Sequence, residues 1–237
     1  MERKVICALD TSDLDEAIRA IQKMHAHVGA FKVGHALTLP HGLGVIERLT
    51  AAGATRIFLD LKFHDIPNSV ALAVRQAARF GVWMMTLHTS GGPAMLSAAV
   101  EEANVHDDHV RPLLVGVSVL TSLDQHNLTD HLGVGRTIEE QMVYLSKLGT
   151  ECGLDGVVCS PHEVKALREK LGHEPIIVTT GIRQEKLEGD DQQRVGTAIG
   201  ALRDGASYLV MGRTLMNSSD PVATLASFGL NSVGIGA

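Results

Sequence analysis

The feature that most constrains the fold is a regular alternation between short apolar segments and longer amphipathic ones. Eight short apolar runs are typical of buried β-strands. They are Val5–Leu9, Phe31–Val33, Ile57–Leu61, Val82–Leu87, Leu113–Val119, Gly156–Cys159, Ile176–Thr179 and Tyr208–Met211. Between the runs, apolar residues recur at helical spacing, for example Leu14, Ile18 and Ile21, or Leu39, Leu43 and Ile46. The pattern therefore predicts strands that alternate with helices.

A strand, helix, strand order predicts parallel strands joined by helical crossovers. Eight such units in 237 residues match the size of a closed (β/α)8 barrel, the TIM barrel, and an open doubly wound sheet is the alternative. No charge block, low-complexity segment or Pro/Ser-rich linker divides the chain, so we expect a single barrel domain over residues 1–237. The stretch from Thr121 to Arg136 lacks clear periodicity, and we expect a mobile flap over a site there.

The composition excludes several classes of protein. The chain carries 27 acidic and 21 basic side chains, a formal charge of -6, and only 3% aromatic residues, so we expect no nucleic-acid binding. The apolar stretch Pro112–Leu120 is about half of the roughly 20 residues needed to span a bilayer, so we expect no membrane span. Cys7, Cys152 and Cys159 form no CxxC pair, and the charged N terminus does not resemble a signal peptide. These features favour a cytoplasmic protein.

Charged residues of the kinds used in catalysis are concentrated in and just after the third predicted strand. Apolar residues alternate there with Asp60 and Lys62, which predicts that both point into the barrel at its C-terminal mouth, where barrel enzymes place catalytic groups. Asp10 ends the first strand, and Lys32 interrupts the second. A lone buried lysine is costly, whereas interleaved lysines and carboxylates can neutralise each other. We expect Lys32, Asp60, Lys62 and Asp65 to form one site, with a barrel-mouth salt bridge as the alternative for any single residue.

Glycine and arginine follow the last two strands. Gly181 and Arg183 come after the seventh strand, and Gly212 and Arg213 come after the eighth. In (β/α)8 barrels this corner commonly binds phosphate. Glycine lets backbone amides approach an anion, and arginine can hold two of its oxygens. The pair of motifs predicts a phosphate site.

Histidine-rich segments elsewhere are weaker candidates. His25 with His27, and the segment 106–109, contain metal-ligand residue types but lie away from the predicted mouth. No HExxH, Walker A or Gly-x-Ser-x-Gly motif is present. We therefore expect no metal site, and we expect His88 to be a barrel histidine rather than a general base.

The segment Asp60–Asn68, which reads Asp-Leu-Lys-Phe-His-Asp-Ile-Pro-Asn, resembles the signature of the orotidine 5′-phosphate decarboxylase family. The resemblance extends along the chain. Further matching segments are Ala8–Asp10, Phe31–Gly34, His88–Gly92, Val119–Ser122, Gly153–Ser160, Gly181–Arg183, Asp191–Gln192 and Gly212–Arg213. The resemblance implies a cofactor-independent carboxy-lyase that converts orotidine 5′-monophosphate (OMP) to UMP and CO2 in pyrimidine biosynthesis.

The resemblance also implies roles for individual residues. Lys62 would donate the proton to C6 within the charged network described above. A homodimer is implied, in which Asp65, Ile66 and Ser69 reach the active site of the partner. The other implied substrate contacts are Asp10 and Lys32 on the ribose, Thr121 on the pyrimidine, Gln192 between base and phosphate, and Arg183, Gly212 and Arg213 around the phosphate.

The chemistry of such a decarboxylation agrees with these roles. Loss of CO2 leaves negative charge at C6 with no imine to absorb it, so a fixed ammonium must stabilise that charge, which suits Lys62. A carboxylate beside the substrate carboxylate, from Asp65 or Asp60, would disfavour the ground state. Binding energy from the phosphate must contribute, so we expect residues 122–136 and the loop after Arg183 to become ordered on ligand binding.

Some positions depart from the family pattern, and two other functions stay open. Thr180 replaces a usual Pro, Ser69 replaces a usual Thr, and Asp190 and Gln193 stand where Gly and Arg commonly flank the Asp-Gln pair. One alternative is a Mg2+-dependent sugar-phosphate decarboxylase or aldolase on a related barrel, in which a Glu ligand is expected where this chain has Lys32. The other is a non-catalytic barrel that binds nucleotide phosphates.

Overall fold

Eight parallel strands close into a barrel in the computed structural model, which describes residues 3–105, 110–182 and 196–230. Each strand pairs with the next along the chain, and the last strand pairs with the first. The strands are β1 (Val5–Ala8), β2 (Ala30–Val33), β3 (Ile57–Phe63), β4 (Met84–His88), β5 (Leu113–Val117), β6 (Gly156–Cys159), β7 (Ile176–Thr179) and β8 (Tyr208–Met211). The predicted (β/α)8 barrel is confirmed over the open sheet.

Helices cover the outside of the barrel, between successive strands and after the last one. They are α1 (Leu14–Met24), α2 (His35–His41), α3 (Val45–Ala51), α4 (Pro67–Arg79), α5 (Gly92–Ala103), α6 (Ile138–Glu151), α7 (Val164–Leu171), α8 (Ala198–Arg203), α9 (Arg213–Met216) and α10 (Pro221–Ser227). Short 3-10 turns at Thr89–Gly91 and Pro161–Glu163 precede α5 and α7. In the described part of the chain, none of these helices is long and apolar enough to cross a membrane.

The region between β2 and β3 differs from the single amphipathic stretch that the sequence predicts. The helix ends at Gly42, which has a φ of 67°, so α2 and α3 are separate helices. Ile46 is buried against the barrel, but Leu39 is 81% exposed. The expectation that Leu39 and Ile46 share one apolar helix face was therefore wrong, because they belong to separate helices and α2 buries Leu37 and Thr38 instead.

The core has two layers that the barrel wall separates. Alternate residues of the strands point outward and pack under the helices, as Cys7, Leu59 and Leu209 do. The residues between them point inward and fill the barrel, as Ile6 and Phe58 do. Burial raises the pKa of the Cys7 thiol to about 12, so this side chain behaves as a small apolar residue. The inward layer ends below the mouth, where the polar residues begin.

The stretch expected to form a flap is folded in this structure. It contains a π-helical turn at Asn127–His131 whose Leu128 is buried. Gln125 ties the two ends of the stretch together, because its side chain donates to the carbonyl of Arg136 and accepts from the amide of Ile138. Ordering of this stretch by a ligand stays a prediction.

Candidate active site

The ends of three neighbouring strands place four side chains of alternating charge in one row. Lys32 Nζ lies 3.1 Å from Asp10 Oδ1 and 3.4 Å from Asp60 Oδ2. Lys62 Nζ lies 2.9 Å from Asp60 Oδ1. The two inner side chains, Lys32 and Asp60, are each 12% exposed, whereas Lys62 is 35% and Asp10 is 52% exposed. The row therefore presents one ammonium and one carboxylate to solvent and holds its middle pair largely out of water.

The electrostatics of the inner pair keep it ionised. Burial disfavours the charged form of Lys32, but the carboxylates of Asp60 and Asp10 outweigh burial and raise the pKa of Lys32 above its usual value. Burial likewise disfavours the Asp60 carboxylate, but Lys32, Lys62 and a hydrogen bond from Thr86 outweigh it and lower the pKa of Asp60. Both shifts move away from neutrality, so the pair stays charged throughout the physiological pH range.

The backbone at Lys62 is unusual. Its φ is 51°, and it is the one non-glycine residue with a positive φ in the described ranges. The β3–β4 ladder is irregular between Leu59 and Phe63, so the strand bulges where the Lys62 side chain emerges. Side chains other than glycine rarely adopt such a conformation, and strained backbone of this kind is concentrated at functional sites.

The charged row forms one wall of a cavity of about 240 Å³ at the C-terminal mouth of the barrel. The opposite wall is apolar and comes from β5 and β6. The lining residues are Ala8, Asp10, Lys32, Phe58, Asp60, Lys62, Val117, Val119, Leu120, Thr121, Val158, Cys159, Thr180, Gly181, Val210, Gly212 and Arg213. A charged wall facing an apolar wall, with a glycine and arginine corner, suits a flat polar ring that carries an anionic tail.

Most of the expected site residues in the described ranges meet at this cavity. Asp10, Thr121, Gly212 and Arg213 line it together with the charged row. The expected site residues after β3 do not line this cavity. Asp65 and Ile66 are exposed outside the cavity of their own chain, and Ser69 is on α4. The Asp65 carboxylate accepts a hydrogen bond from the Ile66 amide at 2.6 Å. The expected contacts Arg183 and Gln192, and the departures Asp190 and Gln193, lie outside the described residues.

Gly212 allows the cavity floor to pack closely against the start of the charged row. A Cβ added at Gly212 would lie 2.9 Å from Asp10 Oδ2 and 3.3 Å from the Cβ of Ala8. Any larger side chain would therefore displace the Asp10 carboxylate. The glycine predicted to approach a phosphate also makes room for Asp10.

The donors at this site do not suit a divalent cation. Two ammonium groups, from Lys32 and Lys62, share the Asp60 carboxylate and would repel a metal ion bound beside it. Over the ranges that the structure describes, no group of three or more His, Cys, Asp and Glu side chains is placed to hold a metal.

Near the site, the sequence did not point to Thr86, whereas it predicted a barrel histidine at His88. Thr86 is buried on β4, and its hydroxyl bridges the Lys62 amide and the Asp60 carboxylate. Its signal was a single polar residue inside an apolar strand. His88 packs against His64 with ring centroids 5.4 Å apart, and burial together with His64 and Lys62 lowers its pKa. A neutral His88 agrees with the expectation of a barrel histidine.

Comparison with known proteins identifies the family. The family model described as "Orotidine 5'-phosphate decarboxylase / HUMPS family" matches residues 3–228. The chain belongs to this family. The orotidine 5′-phosphate decarboxylase resemblance of the Asp60–Asn68 segment is thereby confirmed, and it extends over nearly the whole chain.

Relatives within the orotidine 5′-phosphate decarboxylase family match the chain along almost their entire lengths. The orotidine 5′-phosphate decarboxylase of Moorella thermoacetica is 44% identical over 223 residues, which cover 93% of this chain and 88% of that protein. The corresponding protein of Legionella pneumophila strain Philadelphia 1 is 42% identical, with 96% and 98% covered. The crystal structure of the Lactobacillus acidophilus orotidine 5′-phosphate decarboxylase superposes with a TM-score of 0.84 at 34% identity, with 96% and 97% covered.

Proposed function

We propose that this protein is an orotidine 5′-phosphate decarboxylase that converts OMP to UMP and CO2, with Lys62 as the proton donor to C6. The observation that carries the proposal is the Lys62 ammonium, which is ion-paired with Asp60 at the wall of the barrel cavity. Membership of the family, and relatives of that name at more than 40% identity, support the same reaction.

The chemical step follows from the position of Lys62. The bond between C6 and the carboxylate carbon breaks, CO2 leaves, and the bonding electron pair stays on C6. The nearby ammonium stabilises this charge as it develops and then transfers one of its protons to C6, after which solvent returns a proton to the lysine amine. Asp60, whose Oδ1 lies 2.9 Å from Lys62 Nζ, orients the ammonium before the reaction.

Carboxylates near the substrate carboxylate would favour release of CO2. Two like charges about 4 Å apart repel by roughly 4 kcal/mol at an effective dielectric near 20. Enzymes lower barriers by about 8 to 23 kcal/mol, so this repulsion from Asp60 or Asp65 is only one contribution. Stabilisation of the C6 charge by Lys62 and binding energy from the distant phosphate must supply the remainder.

The rest of the cavity is proposed to hold the phosphate, the ribose and the remainder of the base. Gly212 and Arg213 follow β8 at the corner where barrels commonly bind phosphate, and Arg183 is proposed to join them. Asp10 and Lys32 would bind the ribose hydroxyls. The pyrimidine would contact Thr121 on the wall beyond β5, with Gln192 between base and phosphate.

A homodimer with shared active sites is part of the proposal. Asp65 and Ile66 are exposed in the single chain, and Ile66 is 67% exposed although it is apolar. Contact with a partner would bury Ile66 and would carry Asp65, with Ser69 behind it, to the partner's cavity. Mixing inactive Lys62→Ala and Asp65→Asn variants under subunit exchange should restore about a quarter of the wild-type activity. Failure to restore activity, despite exchange shown by differently tagged subunits, would contradict the shared site.

The proposed enzyme needs no cofactor and acts in the cytoplasm. The two ammonium groups of the charged row make the cavity unsuitable for a metal ion. Cys7, Cys152 and Cys159 form no disulfide bond, as is common in a reducing compartment.

The decisive experiment is OMP turnover to UMP, followed by ultraviolet absorbance in the presence of EDTA. We expect metal-free turnover by the wild-type protein and loss of at least about 1000-fold in kcat for Lys62→Ala, because the proton donor and the charge opposite C6 are both removed. Lys165→Ala, on the exposed side of α7, is the matched control and should retain full activity. Absence of turnover by folded wild-type protein, or undiminished turnover by Lys62→Ala, would contradict the proposal.

A further inference from the structure

The irregular pairing between β3 and β4 leaves one residue of β4 facing a bulge that contains the charged site. Leu59 pairs with Met85 and Phe63 pairs with Leu87, so Asp60, Leu61 and Lys62 all lie opposite Thr86. In a regular parallel ladder the backbone of β4 would accept hydrogen bonds from this part of β3. The bulge takes the Lys62 amide out of the regular pattern.

The Thr86 side chain replaces the missing backbone partner. Its Oγ1 accepts a hydrogen bond from the Lys62 amide at 2.8 Å. The same hydroxyl donates its proton to Asp60 Oδ1 at 3.0 Å. Because Asp60 Oδ1 also accepts from Lys62 Nζ at 2.9 Å, one hydroxyl connects the backbone of Lys62 to the carboxylate that holds its ammonium. The Thr86 hydroxyl thus contacts the Lys62 backbone directly and reaches the Lys62 ammonium only through Asp60.

These contacts explain how Lys62 keeps a positive φ. A positive φ costs a non-glycine residue conformational free energy, so the residue keeps it only where contacts with its surroundings hold the backbone in place. Thr86 is buried, so loss of its hydroxyl would leave the Lys62 amide without its partner, and water could not easily replace it. The amide would then favour a more regular backbone, and the ammonium would move with it.

We propose that Thr86 is the positioning residue that sets the backbone conformation of Lys62 and the orientation of Asp60 for proton transfer to C6. The inference rests on the proposed function, because it assigns Thr86 a part in that reaction. Thr86 does not contact the substrate, since it is absent from the cavity lining and acts only through Lys62 and Asp60.

The test replaces the hydroxyl with a methyl group of similar size. In Thr86→Val we expect kcat to fall about 10- to 100-fold, because a displacement of about 1 Å at a reacting group can cost about that much. The KM for OMP should change less than about threefold, since the ribose and phosphate contacts are untouched. Thr86→Ser keeps the hydroxyl and should restore kcat to within about threefold of the wild-type value.

A matched control separates positioning from stability. Thr89 is also buried, and its hydroxyl donates to the Val117 carbonyl at 3.0 Å, outside the charged row. Thr89→Val should therefore lower the melting temperature, as Thr86→Val does, but leave kcat within about twofold of wild type. If Thr86→Val does not fold, comparison of Thr86→Ser with Thr86→Ala gives the same answer, because these two variants also differ by a hydroxyl.

The outcomes distinguish this inference from the proposed function. If the wild-type protein turns over OMP and the kcat of Thr86→Val is within about twofold of the wild-type value, the proposed role of Thr86 is overturned and the proposed function stands. Equal losses in the hydroxyl-containing and hydroxyl-free variants would also overturn it, because the methyl group or the packing would then be responsible. If folded wild-type protein does not turn over OMP, both proposals fail together.

Discussion

The ion pair between Lys32 and Asp60 should contribute measurably to folding stability, and a double-mutant cycle can isolate that contribution. The cycle compares Asp60→Asn, Lys32→Met and the double variant with wild type. At 3.4 Å and an effective dielectric near 20, the attraction between the two charges is about 5 kcal/mol. Both side chains are only 12% exposed, so desolvation offsets part of this attraction but solvent does not screen it fully.

The expected magnitudes follow from the partners that remain. Removing one member of a buried pair costs about 3 to 5 kcal/mol, and each residual charge here keeps another partner, which favours the lower end. Lys32 keeps Asp10 in Asp60→Asn, and Asp60 keeps Lys62 in Lys32→Met. We expect each single variant to lose about 3 kcal/mol and the double variant about 4 kcal/mol, a coupling energy of about 2 kcal/mol. Each single variant should melt about 6 to 12 °C lower.

Trp83 provides the assay, because it is the single tryptophan of the chain. Its ring packs edge-on against Tyr208 at 5.2 Å and lies under the Arg56 guanidinium, so its fluorescence should change when the barrel opens in urea. The ion pair of Arg75 with Glu102 is the control cycle. Arg75 is 45% exposed, so the coupling there should be about 1 kcal/mol or less. Single effects of Lys32 and Asp60 that add within about 0.5 kcal/mol would refute the electrostatic account of the charged row.

Two further predictions concern pH and the cavity floor. Because the folded pKa of Asp60 is lowered, its contribution is fully present above the unfolded pKa of about 3.9 and is lost as the pH falls through the folded value. The difference in unfolding free energy between wild type and Asp60→Asn should therefore be constant from about pH 7 to 5 and shrink below about pH 4. A difference that grows on acidification would show that folding raises the pKa of Asp60 instead of lowering it. Gly212→Ala should raise the KM for OMP about 10-fold or more, because the new methyl group would displace Asp10. The control is Gly44→Ala, whose new methyl group would meet nothing within 4 Å and which should keep the wild-type KM. Equal KM values for the two variants would refute the close-approach argument.

The strands near the C terminus show why much of the fold was predictable. The boundaries of β6, β7 and β8 match the apolar runs Gly156–Cys159, Ile176–Thr179 and Tyr208–Met211 residue for residue. Strands buried on both faces must be apolar throughout, so the runs begin and end where burial does. The prediction was less accurate at β3, which extends to Phe63, because the charged residues within it conceal the end of the strand.

The charged row was predictable in part for a similar reason. Side chains alternate between the two faces of a strand, which predicts that Asp60 and Lys62 share a face when Leu59 is buried under the helices. The bulge interrupts this alternation, so the actual position of Lys62 depends on the pairing of β3 with β4. The pairing of Lys32 with Asp10 and Asp60 depends on which strands are neighbours and on their stagger. A barrel whose strands follow sequence order predicts which strands are neighbours. It does not predict that the Lys32 ammonium lies about 3 Å from the carboxylates of Asp10 and Asp60.

By itself, the sequence determined the number and order of the strands and the charged residues at the mouth, favoured a closed parallel barrel over an open sheet, and carried the resemblance to the family. These depend on local periodicity and on residue types, which a chain carries without any long-range contact. Only the tertiary structure decided that Lys62 takes a positive φ, that Thr86 supplies the partner for its amide, and that Leu39 is exposed. Each of these depends on how two segments that are distant in sequence pack against each other. The interaction energy is a property of both segments together and cannot be read from either one alone.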